Sequence, residues 1–131
     1  MKIFNLILSL LFIIGSCEPI NEHIAAEELG YPSTIEFTAE GGEYIYEGNN
    51  VGTMCVITVL DAEENAFKYE FDEDTQNYRY KNDWLSIEAN PEHPQITIKA
   101  QPNSSNQLRQ CEFEVNKGYY YSTITINQSA N

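Results

Sequence analysis

From residue 34 onward the chain is a series of short runs in which apolar and polar residues alternate, each cut off by glycine, proline or asparagine. Such runs suit strands with one buried face, and they are too short for helices, whose apolar positions would recur every three or four residues. Ile35, Phe37 and Ala39 alternate with Glu36, Thr38 and Glu40 until Gly41 and Gly42 end the run. Residues 43–47 form a Tyr-rich strand closed by Gly48, Asn49 and Asn50, and residues 53–60 are apolar on both faces, as a central strand would be. Residues 84–88 make a further strand, 90–94 a turn-rich loop, and Ile96, Ile98 and Ala100 alternate again. Cys111, Phe113 and Val115 share one face of the next strand. Asn116, Lys117 and Gly118 are expected as its hairpin turn, and Ile124 and Ile126 share a face of the last. With no long helix and no internal repeat, this spacing predicts an all-β protein, an antiparallel β-sandwich.

The middle of the chain is less regular. Residues 61–74 carry seven carboxylates against one lysine, yet Phe67, Tyr69 and Phe71 alternate within them, and Tyr78 and Tyr80 alternate just after. An extra hairpin turning at 72–77 fits this pattern; a solvated acidic loop is the alternative.

The N-terminus is of a different kind. Lys2 is followed by an apolar run over residues 3–14, then by Ile14, Gly15, Ser16 and Cys17, which has the form of a lipobox. Twelve helical residues span about 18 Å, short of the ~30 Å hydrocarbon core, so the run suits a signal-peptide core and not a spanning helix. The expectation is a lipoprotein signal peptide over 1–16, cleaved to leave Cys17 as the lipidation site. Residues 17–33 then form the lipidated cysteine and a tether, and 34–131 the folded domain. Extended, sixteen tether residues reach ~50 Å; a packed N-terminal segment is the other reading. Cleavage leaves six Lys and Arg against twenty Asp and Glu, a formal charge of −14. Such a surface repels nucleic acid and anionic headgroups, so no nucleic-acid partner is expected; the membrane would be reached through the lipid anchor. The expected location is the outer membrane, on its cell-surface or periplasmic face. Glu18 and Glu22, just after Cys17, weakly match a surface-export signal.

With Cys17 lipidated, Cys55 and Cys111 remain as a candidate disulfide in an oxidising compartment, or as two buried thiols. Catalysis finds little support: His23 and His93 lie in unrelated segments without a zinc-protease, nucleophile-elbow or Cys–His pattern. No cofactor is implied. Asp72, Asp74 and Asn77, with Asp61, Glu63 and Glu64 near in sequence, offer oxygen ligands for Ca²⁺, but they lack the glycine and terminal glutamate of an EF-hand loop and read equally as a charge run. The candidate ligand-binding residues are tyrosines. Tyr119 and Tyr121 fall on the outward face by parity with Ile124 and Ile126, and Tyr78 and Tyr80, with Arg79, make a second patch. Exposed flat rings suit a polysaccharide, whereas packed ones merely stabilise strands. Trp84, beside Leu85 and Ile87, is expected in the core.

Several of these residues together resemble the BACON domain family. Thr34, Ile35, Glu36 and Phe37 before Gly41 and Gly42, then Asn82, Asp83, Trp84, Leu85, Ser86 and Ile87, are similar to its first half. Residues 96–100, then Pro102, Asn103, Arg109, 111–115 and a closing Ile124, Thr125, Ile126, Asn127 and Gln128 are similar to its second. The resemblance spans about residues 34–130 and implies an immunoglobulin-like β-sandwich in a Bacteroidota-type lipoprotein or glycan-degrading enzyme. It implies binding of glycan or another extracellular macromolecule or, alternatively, a structural or interaction role with an envelope protein. No ligand-contacting motif is carried by the family, and residues 61–81 are longer than its pattern.

Overall fold

The computed structural model describes residues 21–49 and 55–131; the signal peptide, Cys17 and Glu18 lie outside the described residues. Among the described residues ten strands occur, in order β1 (Glu22–His23), β2 (Thr34–Phe37), β3 (Gly42–Glu47), β4 (Val56–Val59), β5 (Lys68–Phe71), β6 (Tyr78–Lys81), β7 (Leu85–Asn90), β8 (His93–Ala100), β9 (Arg109–Lys117) and β10 (Tyr120–Gln128). A 3-10 turn at Ala26–Leu29 is the one helical element among the described residues, and none of their helices is long and apolar enough to cross a membrane.

The expected immunoglobulin-like sandwich is observed. One sheet runs β4–β9–β10, with β1 and β2 both pairing the far side of β10; the other runs β3–β8–β7–β6–β5. Neighbours are antiparallel except at β1 and β2, which lie parallel to β10. The inner faces meet in one core built from the alternating residues: Ile57 and Val59, Leu85 and Ile87, Ile96 and Ile98, Phe113 and Val115, Ile124 and Ile126. The hairpin over the irregular middle is present. Phe71 faces Tyr78 across a turn in which Asp72 N–H donates to Asn77 O at 2.8 Å.

Two expectations fail. The segment read as a tether is packed from Glu22 onward. The Glu22 amide bonds Tyr119 O at 2.8 Å, Ile24 N–H bonds Tyr121 O at 3.0 Å, and Ala26, Leu29 and Tyr31 are buried. Backbone pairing and three buried side chains hold down a segment whose composition is polar. The folded domain therefore begins near residue 21 and not at 34. The last hairpin also turns one residue later than expected. Lys117 pairs with Tyr120, so the turn is Gly118 and Tyr119, with Gly118 at φ 63°. Lys117 ends β9 fully buried; its Nζ donates to Asn49 O and stands 5.8 Å from the Tyr31 ring centre. Burial holds its pKa below the usual lysine value.

The sandwich has two distinct ends. At the entry end lie the 118–119 turn, the β7–β8 connection and the 72–77 turn; Cys55 N–H bonds Pro91 O, and Asn90 Nδ2 bonds Thr75 O. There Tyr78 bridges the sheets. Its hydroxyl accepts from Ile57 N–H and donates to Cys55 O at 3.0 Å, satisfying backbone groups on the side of β4 that no strand pairs. At the far end a polar clasp closes the fold. Buried Gln128 donates to Gln101 O at 2.7 Å and accepts from Arg109 Nη1 at 3.2 Å. Buried Asn103 donates to Gln107 O at 2.8 Å and Ser129 O at 3.0 Å.

Burial pushes up the pKa of Tyr31, Tyr78 and Cys55, and that of Cys111 from 9.0 to about 12. These groups hold their protons more tightly folded than unfolded. Their contribution is therefore complete below pH 9 and lost as pH rises toward 12. Circular dichroism across that range should show alkaline unfolding, with tyrosinate absorbance from Tyr31 and Tyr78 appearing only as the fold is lost. Tyr78→Phe leaves a buried donor and acceptor unpaired and should cost about 2–4 kcal/mol in urea unfolding, whereas Tyr80→Phe should be close to neutral.

Candidate functional site

The described residues offer two recesses of note and one exposed tip. At the far end an open cleft of about 500 Å³ is lined by Trp84, Arg109, Asp61, Glu64, Asn65, Gln110 and Glu112, with Leu108 at its rim. Trp84 is half-buried here and not enclosed in the core as expected, because it precedes β7 and only part of its ring meets the inner face. Three sets of bonds hold it. Asn82 Oδ1 accepts from Trp84 N–H at 3.0 Å, Trp84 O accepts from Gln101 N–H at 2.7 Å, and the Arg109 guanidinium lies 5.7 Å from the ring centre. Asn82 also donates to Asn65 O at 2.8 Å, tying the acidic 61–66 turn to the tryptophan. Asp61 and Ala66 adopt positive φ there, 56° and 53°, so the acidic stretch is exposed yet tightly folded. One aromatic ring thus stands among carboxylates, amides and a guanidinium on a rigid frame. Trp84 escaped sequence reasoning because alternation shows its strand and not the strand's open end.

The second recess is an apolar groove of about 430 Å³ between β4 and β5, lined by Val56, Ile57, Thr58, Tyr69, Phe71, Tyr78, Tyr80 and Pro91. The β5 sheet is wider than its partner, so Tyr69 and Phe71 point inward with nothing above them and remain 58% and 48% exposed. This corrects the expected Tyr78 and Tyr80 patch. Tyr78 is only 5% exposed and serves as a core bridge; Tyr80 is half-buried with its ring 5.4 Å from Tyr69. Arg79, on the opposite face, bonds Glu88 at 2.7 Å and Glu70 at 3.4 Å.

Tyr119 is 72% exposed in the hairpin turn, and Tyr121 is half-buried with its ring edge-on to His23 at 5.1 Å. Tyr121 lies on the outer face of β10 in one sheet and Tyr78 faces the core from β6 in the other, so Tyr119, Tyr121, Tyr78 and Tyr80 do not form one surface. His93 starts β8 in the other sheet.

The weak Ca²⁺ candidates are used within the hairpin. Asp72 Oδ1 accepts from Asp74 N–H at 2.9 Å and Thr75 N–H at 3.3 Å, bonds that hold its carboxyl below the usual range, while Asn77 Oδ1 accepts from Asn90 at 2.8 Å. No group of three or more His, Cys, Asp or Glu side chains placed to hold a metal occurs among the described residues.

The candidate disulfide is absent: Cys55 and Cys111 are buried free thiols. Val56 faces Asn116, which sets Cys55 level with Lys117, six residues along β9 from Cys111. That offset is about 20 Å of strand, against the ~7 Å limit for bridged α-carbons. Both thiols should resist alkylation in the native protein and react fully once it is unfolded, with reductant leaving the melting temperature unchanged.

Comparison with known proteins agrees with this architecture. Residues 70–129 match the family model BACON, described as "Putative binding domain, N-terminal". No curated protein matches. Among solved structures, the chain is similar to one titled "NMR structure of the protein from Bacteroides thetaiotaomicron", at 18% identity and a TM-score of 0.55, over 78% of this chain and 80% of that one. At that identity the likeness concerns the fold.

Proposed function

We propose that the chain is a non-catalytic glycan-binding module, held outside the cytoplasm by acylation of Cys17 and using the Trp84 cleft; the match of residues 70–129 to the BACON model supports a binding role. The observation that carries this is the composition of the cleft. A pyranose ring stacks on an aromatic face while its hydroxyls need paired donors and acceptors, and Trp84 stands among Asp61, Glu64, Asn65, Gln110 and Glu112. Those groups sit on a frame held by Asn82 and the Gln128 clasp, which keeps them organised before a ligand arrives. The ligand class follows from charge. Carboxylates on the rim of a chain with net charge −13 favour neutral sugars and amino sugars and repel uronic-acid or sulfated chains. The lipobox at Ile14, Gly15, Ser16 and Cys17 supports an outer-membrane lipoprotein, at the cell surface or on the periplasmic face.

A second reading, an interaction module for an envelope protein, draws on Tyr69 and Phe71, which are exposed on a strand with one unpaired edge.

Trp84 is the sole tryptophan, so its fluorescence reports directly on the cleft. Titration with neutral polysaccharides should change that emission, with no response to polyuronates. Asp61→Asn combined with Glu64→Gln, both on the exposed turn, should weaken binding about tenfold or more, equivalent to ~1.4 kcal/mol, without lowering stability. An unchanged emission with every neutral glycan, alongside an envelope protein retained by the chain and lost on Tyr69→Ser/Phe71→Ser, would establish the second reading instead.

A further inference from the structure

We infer that the tip of the β9–β10 hairpin is a lipid-contact surface: Tyr119, backed by Tyr121, rests in the headgroup layer and stands the sandwich upright on the membrane. The inference rests on acylation of Cys17, proposed above. Packing from Glu22 onward shortens the leash to residues 18–21, about 14 Å at full extension, where sixteen free residues would have reached ~50 Å. The leash also ends at a defined place, because the Glu22 amide bonds the carbonyl of Tyr119 itself. A lipid on Cys17 therefore keeps the hairpin tip within about one headgroup layer and a few residues of the hydrocarbon boundary.

The side chain at that tip suits the position. Among the described residues, the Tyr119 ring has no aromatic neighbour and its hydroxyl no hydrogen-bond partner, although Tyr119 is 72% exposed. Tyrosine has an apolar body and a polar end, which is why it gathers where hydrocarbon meets water. A single ring adds little affinity, but the acyl chains supply that; the ring's effect is to set orientation. Tyr121, on the second rung of the ladder, lies on the outer face of β10, held edge-on by His23. The carboxylates at this end, Glu22 and those of the 72–77 turn, favour a zwitterionic surface over an anionic one. The nine-residue β10 then carries the Trp84 cleft about 30 Å outward.

The test uses the full chain acylated by its host and reconstituted in phosphatidylcholine vesicles bearing headgroup nitroxides. Trp84 in the natural sequence is the distal probe, and Tyr119→Trp with Trp84→Phe supplies the proximal one. The proximal emission should be quenched several-fold more strongly than the distal. Equal quenching of both, as in a domain lying flat, or quenching of neither overturns the inference. Incorporation of an alkyne fatty acid, lost on Cys17→Ser, is measured on the same preparation. A missing label overturns the anchor itself, whereas a labelled chain with an unquenched tip overturns only the contact surface.

Discussion

The nine-rung ladder between β9 and β10 is the interaction on which the rest of the molecule hangs. Among the described residues β10 is the one strand with three partners, β9 along one of its edges and β1 and β2 in line along the other. Its inward residues are Ser122, Ile124, Ile126 and Gln128, so isoleucines fill the centre and a polar group stands at each end. Each polar end ties down a different part of the chain: Ser122 donates to Ile24 O, and Gln128 binds the 101–108 loop and Arg109. A buried hydroxyl or amide is costly without a partner, so these ends specify where the neighbouring segments must sit.

Alternation revealed most of this fold, and the places where it misled share a cause. It reports which face of a strand a residue occupies and says nothing of what lies opposite. Tyr69 and Tyr78 both face inward, yet one is open and the other enclosed, because β5 overhangs a narrower sheet. Cys55 and Cys111 both sit among apolar neighbours, yet the register sets them six residues apart. The N-terminal segment was illegible for another reason. β1 is held through its backbone, and backbone pairing of two residues leaves no trace in side-chain pattern. Lys117, expected in the turn beside Asn116 and Gly118, instead ends a buried strand beside Tyr31, although a lysine is rarely fully buried.

Several residues that carry the family resemblance hold the fold together, while Trp84 and Arg109 also line the cleft. Asn103, Arg109 and Gln128 close the far end of the sandwich on one another and on backbone carbonyls. A motif of that kind identifies an architecture while leaving the ligand to its surroundings. Here the surroundings are the acidic 61–66 turn and the exposed start of β9.

The parallel course of β1 beside β10 bears on how the molecule takes mechanical load. A pull arriving through residue 21 is directed along β1 away from its neighbours, so the Glu22 and Ile24 bonds to β10 are strained together in shear. An antiparallel strand entering from the other end would instead be peeled one bond at a time. Behind β1, Ala26, Leu29 and Tyr31 would have to leave the core before more chain could pay out. A load entering at residue 21 thus meets its resistance at the point where it is applied.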